Sequence, residues 1–144
     1  MIIPKGNPEG NNFGEHLMID GYQADYDRLN DKENVRNSIE LLPGLLGMKK
    51  LSTTEVYYAV GNNLKDPGGW TGFVVIEESH ISVHTFPGIG FVSIDAYTCK
   101  NGLNTDAIVK WFGEHFGIGV FELNLVQRGK RFSEFCSQQV LTCR

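Results

Sequence analysis

The strongest constraint on the fold is a strict alternation of apolar and polar residues between His80 and Cys99. Ile81 and Val83 alternate with His80, Ser82 and His84. After Pro87-Gly88-Ile89-Gly90 the alternation resumes in Phe91-Val92-Ser93-Ile94-Asp95-Ala96-Tyr97-Thr98-Cys99. A period of two puts successive side chains on opposite faces of a strand, here one buried and one polar. Two such strands joined by so short a loop pair antiparallel. The β-branched and aromatic runs His16–Tyr22, Glu55–Val60, the stretch from Thr71 and Val120–Val126 read as further strands. Asn30 or Asp31 caps a helix carrying Val35, Ile39, Leu42 and Leu46 on one side, with Pro43, Gly44 and Gly47 arguing for its end. Asn104 or Thr105 caps a second helix, with Ile108, Trp111, Phe112, His115 and Phe116 in one stripe. Strand, helix, several strands, helix, strand predicts an α+β fold, a two-layer α/β sandwich whose antiparallel sheet carries both helices on one face. The other face is then solvated or covered by another subunit.

A chain of 144 residues, 41% hydrophobic, fits one domain over 1–144. Its charge, 13 − 17 = −4, excludes a broad basic surface, so no nucleic-acid partner is expected. No apolar run approaches the ~20 residues that span a bilayer, and the first residues lack the apolar core of a secretory signal. Cys99, Cys136 and Cys143 are too few for a disulfide framework. A cytoplasmic protein with no membrane partner is the expectation.

The densest group of reactive side chains is Glu77-Glu78-Ser79-His80-Ile81-Ser82-Val83-His84. On a strand, His80 and His84 stand about 13 Å apart, too far to share one ion, and no third ligand is evident, so no metal is expected. Ser79 lacks the Gly-x-Ser-x-Gly elbow that exposes a hydrolase nucleophile. On residue types alone the stretch stays open between a polar strand face and a reactive site.

Glu78-Ser79-His80, then His84-Thr85-Phe86-Pro87, then Asp95-Ala96-Tyr97-Thr98-Cys99, together resemble the prokaryotic S-adenosylmethionine decarboxylase proenzymes. Gly14-Glu15-His16-Leu17 and Gln127-Arg128-Gly129-Lys130 extend the resemblance over most of the chain. It implies self-cleavage between Glu78 and Ser79, giving chains 1–78 and 79–144, with a covalent pyruvoyl group made from Ser79. It further implies that His84 handles the proton of cleavage, that Thr71 stands for a serine supporting it, and that Cys99 protonates the product. The pyruvoyl ketone would form a Schiff base with a small-molecule substrate and act as the electron sink for loss of carbon dioxide. Family likeness also implies a homodimer of cleaved protomers with its site at the subunit contact. Cys136 and Cys143 match nothing in the pattern.

Two substrate positions depart from it. Gly88 stands where the family has a glutamate that grips ribose hydroxyls, and Lys65 where it has an aromatic that stacks on adenine. These losses amount to about 1.5–3 kcal/mol and about 1 kcal/mol. The departures lead us to expect a changed substrate, a basic amino acid (L-arginine or L-ornithine), with Asp20, Glu77 and Asp95 as candidates for its cationic tail. Trp70 and Phe73 keep S-adenosylmethionine as the alternative, since either ring can face a nucleoside. A non-catalytic regulatory homologue is the second alternative.

Overall fold

A computed structural model describes residues 1–62 and 64–136. In chain order its elements are β1 (Gly14–Tyr22), α1 (Tyr26–Leu29), α2 (Lys32–Glu40), α3 (Leu42–Leu45), β2 (Glu55–Val60), β3 (Gly68–Ile76), β4 (Ser79–Phe86), β5 (Phe91–Thr98), α4 (Thr105–Phe116), β6 (Val120–Arg128) and α5 (Phe132–Phe135). The strands form one sheet in the order β2-β3-β4-β5-β1-β6, with every neighbouring pair antiparallel. The α+β sandwich expected from the alternation is present.

Local signals set the helix ends. Asp31 caps α2 by accepting from the Glu33 and Asn34 N–H groups, and Asn104 caps α4 by accepting from Ala107 N–H. The predicted helix through Leu46 breaks at Leu41, because Pro43 cannot donate within it and starts the separate turn α3. The run from Thr71 to Phe86 is not one strand: Glu77 and Glu78 form a two-residue turn, and β3 and β4 pair across it with Ile76 opposite Ser79.

One face of the sheet packs on α2 and α4. Leu17, Ile19, Val74, Ile81, Val83, Val92 and Ile94 from the strands meet Val35, Ile39, Ile108, Phe112 and Phe116 from the helices in one core. Each fully buried side chain of this kind contributes about 1.5–3 kcal/mol. Gly72 lets α2 approach β3 closely: a Cβ there would lie 2.9 Å from Ile39 Cδ1.

The opposite face carries no helix. Its cross-strand rows are Val75-His80-Tyr97-His16-Val126, then Phe73-Ser82-Asp95-Met18-Asn124, then Thr71-His84-Ser93-Asp20-Glu122. Phe73, Val75 and Val126 are exposed on it. Among the described residues, no helix is long and apolar enough to cross a membrane.

Candidate active site

The site residues named from the sequence fall into two groups at opposite ends of β4. At one end lie Glu78 and Ser79 with Cys99. The Cys99 N–H donates to the Glu78 carbonyl oxygen at 2.8 Å, the carbonyl of the Glu78–Ser79 bond. Ser79 takes φ 152°, a backbone region that side chains other than glycine rarely adopt, at a cost of about 1–3 kcal/mol. Thr98 pairs with Ser79 across β4 and β5, so the strand register delivers Cys99 to this turn. Cys99 is buried and its sulfur is held in a disulfide. The Glu78 side chain is only 5% exposed, with Oε2 3.2 Å from Lys100 Nζ.

At the other end lie Thr71 and His84. They face each other across β3 and β4, with Thr71 Oγ1 3.2 Å from His84 Nδ1. Five residues of strand separate His84 from Ser79, about 16 Å at 3.3 Å per residue. A single chain therefore does not bring its Thr71–His84 pair to its own Ser79.

Between the two ends, on the bare face, is a cluster that residue types alone did not reveal. His16 Nε2 lies 2.8 Å from Asp95 Oδ1. The His80 ring stacks on Phe73 at 5.3 Å, and Tyr97 lies within 5.7 Å of both histidine rings. The Arg128 guanidinium sits over Tyr97 at 4.8 Å. Burial, and then the charge of His16, hold His80 below its ordinary value of 6.5 despite Asp95. Burial, then the Glu122 and Asp95 carboxylates, raise Asp20 above 3.8. The pairing of His16 with Asp95 spans 79 positions, so its only sequence signal was the shared polar parity of two strands.

Of the acidic residues expected to hold a cationic tail, Asp20 and Asp95 share the bare face but Glu77 lies apart from them. Asp95 is already paired with His16, and Glu77 lies in the β3–β4 turn within 3.8 Å of Lys49 Nζ. Trp70 belongs to the helix side, where its indole N–H donates to the Asn30 carbonyl at 3.1 Å. Phe73 does lie on the bare face. A Cβ on Gly88 would touch Pro67 Cβ at 3.4 Å, and Lys65, two residues before Pro67, is exposed. Among the described residues there is no grouping of histidine, cysteine and carboxylate side chains that could hold a metal ion.

A helix-backed antiparallel sheet with this layout matches a crystal structure of adenosylmethionine decarboxylase from Aquifex aeolicus. The TM-score is 0.69 and the identity 26%, over 82% of this chain and 92% of that one. Fold and site thus place the chain among the pyruvoyl-dependent carboxy-lyases. The family model for S-adenosylmethionine decarboxylase matches residues 15–129, and the chain belongs to that family. The S-adenosylmethionine decarboxylase proenzyme of Clostridium botulinum (strain Loch Maree) is 33% identical over 81% of this chain and 95% of its own. That of Carboxydothermus hydrogenoformans is 26% identical over 91% and 98%. A third, from Persephonella marina, is 38% identical over 60% of each chain.

These matches correct the substrate expectation. Relatives of this chain are named for S-adenosylmethionine, and nothing among them supports decarboxylation of arginine or ornithine. Gly88 and Lys65 lie in exposed turns, where chain length and side chains vary at little structural cost. Their departure from the pattern did not justify inferring a new substrate.

Proposed function

We propose that this chain is a proenzyme that cleaves itself between Glu78 and Ser79, and that two cleaved copies, paired across the bare sheet face, decarboxylate S-adenosylmethionine. The observation that carries this reading is the state of the Glu78–Ser79 bond. Its carbonyl oxygen already accepts the Cys99 N–H at 2.8 Å, while Ser79 holds a strained φ of 152°. A donor aimed at that oxygen stabilises the charge that develops there on attack, and cleavage releases the strain.

Ser79 Oγ adds to the Glu78 carbonyl carbon and the Glu78–Ser79 C–N bond breaks. The hydroxyl proton ends on the freed nitrogen, and the Glu78 acyl group is left on Oγ as an ester. Loss of the Ser79 Cα proton then expels the Glu78 carboxylate. The resulting dehydroalanine tautomerises to an imine, and water displaces ammonia from it. The products are chains of 78 and 144 − 78 = 66 residues, the second beginning with a pyruvoyl group. When formed, that group supplies a ketone that takes up the substrate amine and receives the electron pair left by carbon dioxide.

His84 serves as the acid–base group of cleavage, with the Thr71 hydroxyl holding its Nδ1. Because they stand about 16 Å from their own Ser79, they act on the partner's. A two-fold axis running across the strands near Ser82 lays β4 over the β4 of the second copy in the opposite direction, and so brings Ser79 of one chain over His84 of the other. Exposed Phe73, Val75 and Val126 give this face the apolar area such a contact needs. In the cleaved enzyme the Cys99 sulfur, once an external thiol has reduced its disulfide, delivers the proton to the substrate Cα, and Phe73 is a ring on this face available to the substrate.

Carbon dioxide release from S-adenosylmethionine by purified protein tests the activity, with Ser79→Ala as the blank. Release by the wild type alone supports the reading; no release from fully cleaved wild type refutes the substrate.

A further inference from the structure

We propose that Lys100 is a positioning residue for self-cleavage. Its ammonium neutralises the buried Glu78 carboxylate, so that the carbonyl oxygen of the same residue can take up negative charge when Ser79 attacks. This inference rests on the self-cleavage reading above.

Glu78 places a carboxylate beside the carbonyl that Ser79 attacks. Its side chain is 5% exposed, and Oε1 is buried without a hydrogen-bond partner among the described residues. Compensation of the carboxylate therefore falls on Lys100, 3.2 Å from Oε2. The neighbouring Glu77 is served by a different cation, Lys49, at 3.8 Å. An exposed ion pair contributes little, but a buried charge left without its partner is costly. At this position the cost falls on the reaction: the attacked carbonyl becomes an oxyanion a few bonds from the carboxylate, where poor screening makes like charges repel strongly.

The backbone prepares Lys100 for the task. It directly follows Cys99, so one dipeptide holds Glu78 at two points, the N–H on its carbonyl oxygen and the ammonium on its side chain. Lys100 N–H donates to Thr98 Oγ1 at 3.1 Å. Two residues on, the N–H groups of Gly102 and Leu103 each donate to the fully buried Glu15 Oε1 at 2.8 Å. The segment is thus anchored on both sides of the cation. After cleavage the new α-carboxylate of Glu78 adds a second negative charge to the same residue, with the same ammonium beside it.

The test follows the conversion of freshly translated full-length chain into its two fragments over time. Lys100→Met is expected to slow cleavage roughly ten- to a hundredfold, the range for a misaligned or uncompensated reacting group. Lys100→Arg restores most of the rate, and adding Glu78→Gln to Lys100→Met speeds cleavage again by removing the uncompensated charge. A merely structural lysine predicts no such recovery. Unfolding of the uncleavable Ser79→Ala protein, with and without Lys100→Met, shows whether the variant folds. If it does not fold, Lys100→Arg decides, and must then cleave within a few-fold of wild type. Lys100→Met cleaving at the wild-type rate, or a double variant as slow as Lys100→Met, overturns the role of Lys100. A wild-type chain that never cleaves overturns the self-cleavage reading instead.

Discussion

If Thr71 and His84 act on the partner's Ser79, two inactive variants must repair each other. Ser79→Ala removes the nucleophile, and His84→Ala removes the acid–base group. Within one chain the two positions are five strand residues apart, about 16 Å, whereas proton transfer needs about 3 Å. No side-chain rotation closes that gap, so each variant alone stays full length. Co-expressed in equal amounts, the two chains form mixed pairs and like pairs in equal number. Each mixed pair contains one intact site, made of Ser79 from the His84→Ala chain and His84 from the Ser79→Ala chain. Its other site lacks both groups. Up to half of the His84→Ala chains are therefore cut, and none of the Ser79→Ala chains. Different affinity tags on the two chains let a denaturing gel report which one is cleaved. Wild-type cleavage with no cleavage in the mixture would falsify the proposed pairing and place any role of His84 within its own chain.

Three further outcomes follow from named contacts. Gly88→Glu meets only Pro67 at ordinary contact distance and supplies a carboxylate for ribose hydroxyls. It should lower KM for S-adenosylmethionine roughly ten- to a hundredfold, the equivalent of about 1.5–3 kcal/mol; an unchanged KM would separate Gly88 from the nucleoside. Cys99→Ala still cleaves, because the donor to the Glu78 carbonyl is a backbone N–H, but its decarboxylation, assayed under reducing conditions, is slow; wild-type turnover would remove Cys99 from the proton-donor role. His80 is held below its ordinary value of 6.5, so the unfolded chain binds a proton first as pH falls. Stability is accordingly lost as pH drops through 6.5 and levels off below the folded value. Unfolding midpoints of wild type and His80→Phe between neutral and mildly acid pH check this, and parallel curves would exclude His80 as the source.

Much of the architecture was legible because it is written in local periods. The alternation in β4 and β5 set one face as buried, and the pairs Asn30-Asp31 and Asn104-Thr105 marked the helix starts to within one residue. The turn at Glu77–Glu78 was not legible. Two glutamates carry none of the Asn-Gly or Asp-Gly chemistry that announces a tight hairpin, and Phe73–Ile76 runs apolar up to it. Yet this turn creates the strained Ser79 and sets its register with Thr98. The candidate site residues stood out as motifs, but their division between two ends of a strand required the pairing of β3 with β4. Contacts between distant segments, His16 with Asp95 and Lys100 with Glu78, had no short-range signal. The substrate was misjudged for a related reason. Gly88 and Lys65 were weighed as missing contacts, but exposed turn positions carry less information than the strands behind them.

The most direct test of the account is the intact mass of the purified wild-type protein under denaturing conditions. The account predicts two species, residues 1–78 and residues 79–144, the second lighter by one ammonia than simple hydrolysis would leave it and blocked to amino-terminal sequencing. A single full-length mass, or a second fragment beginning with an ordinary serine, would contradict it.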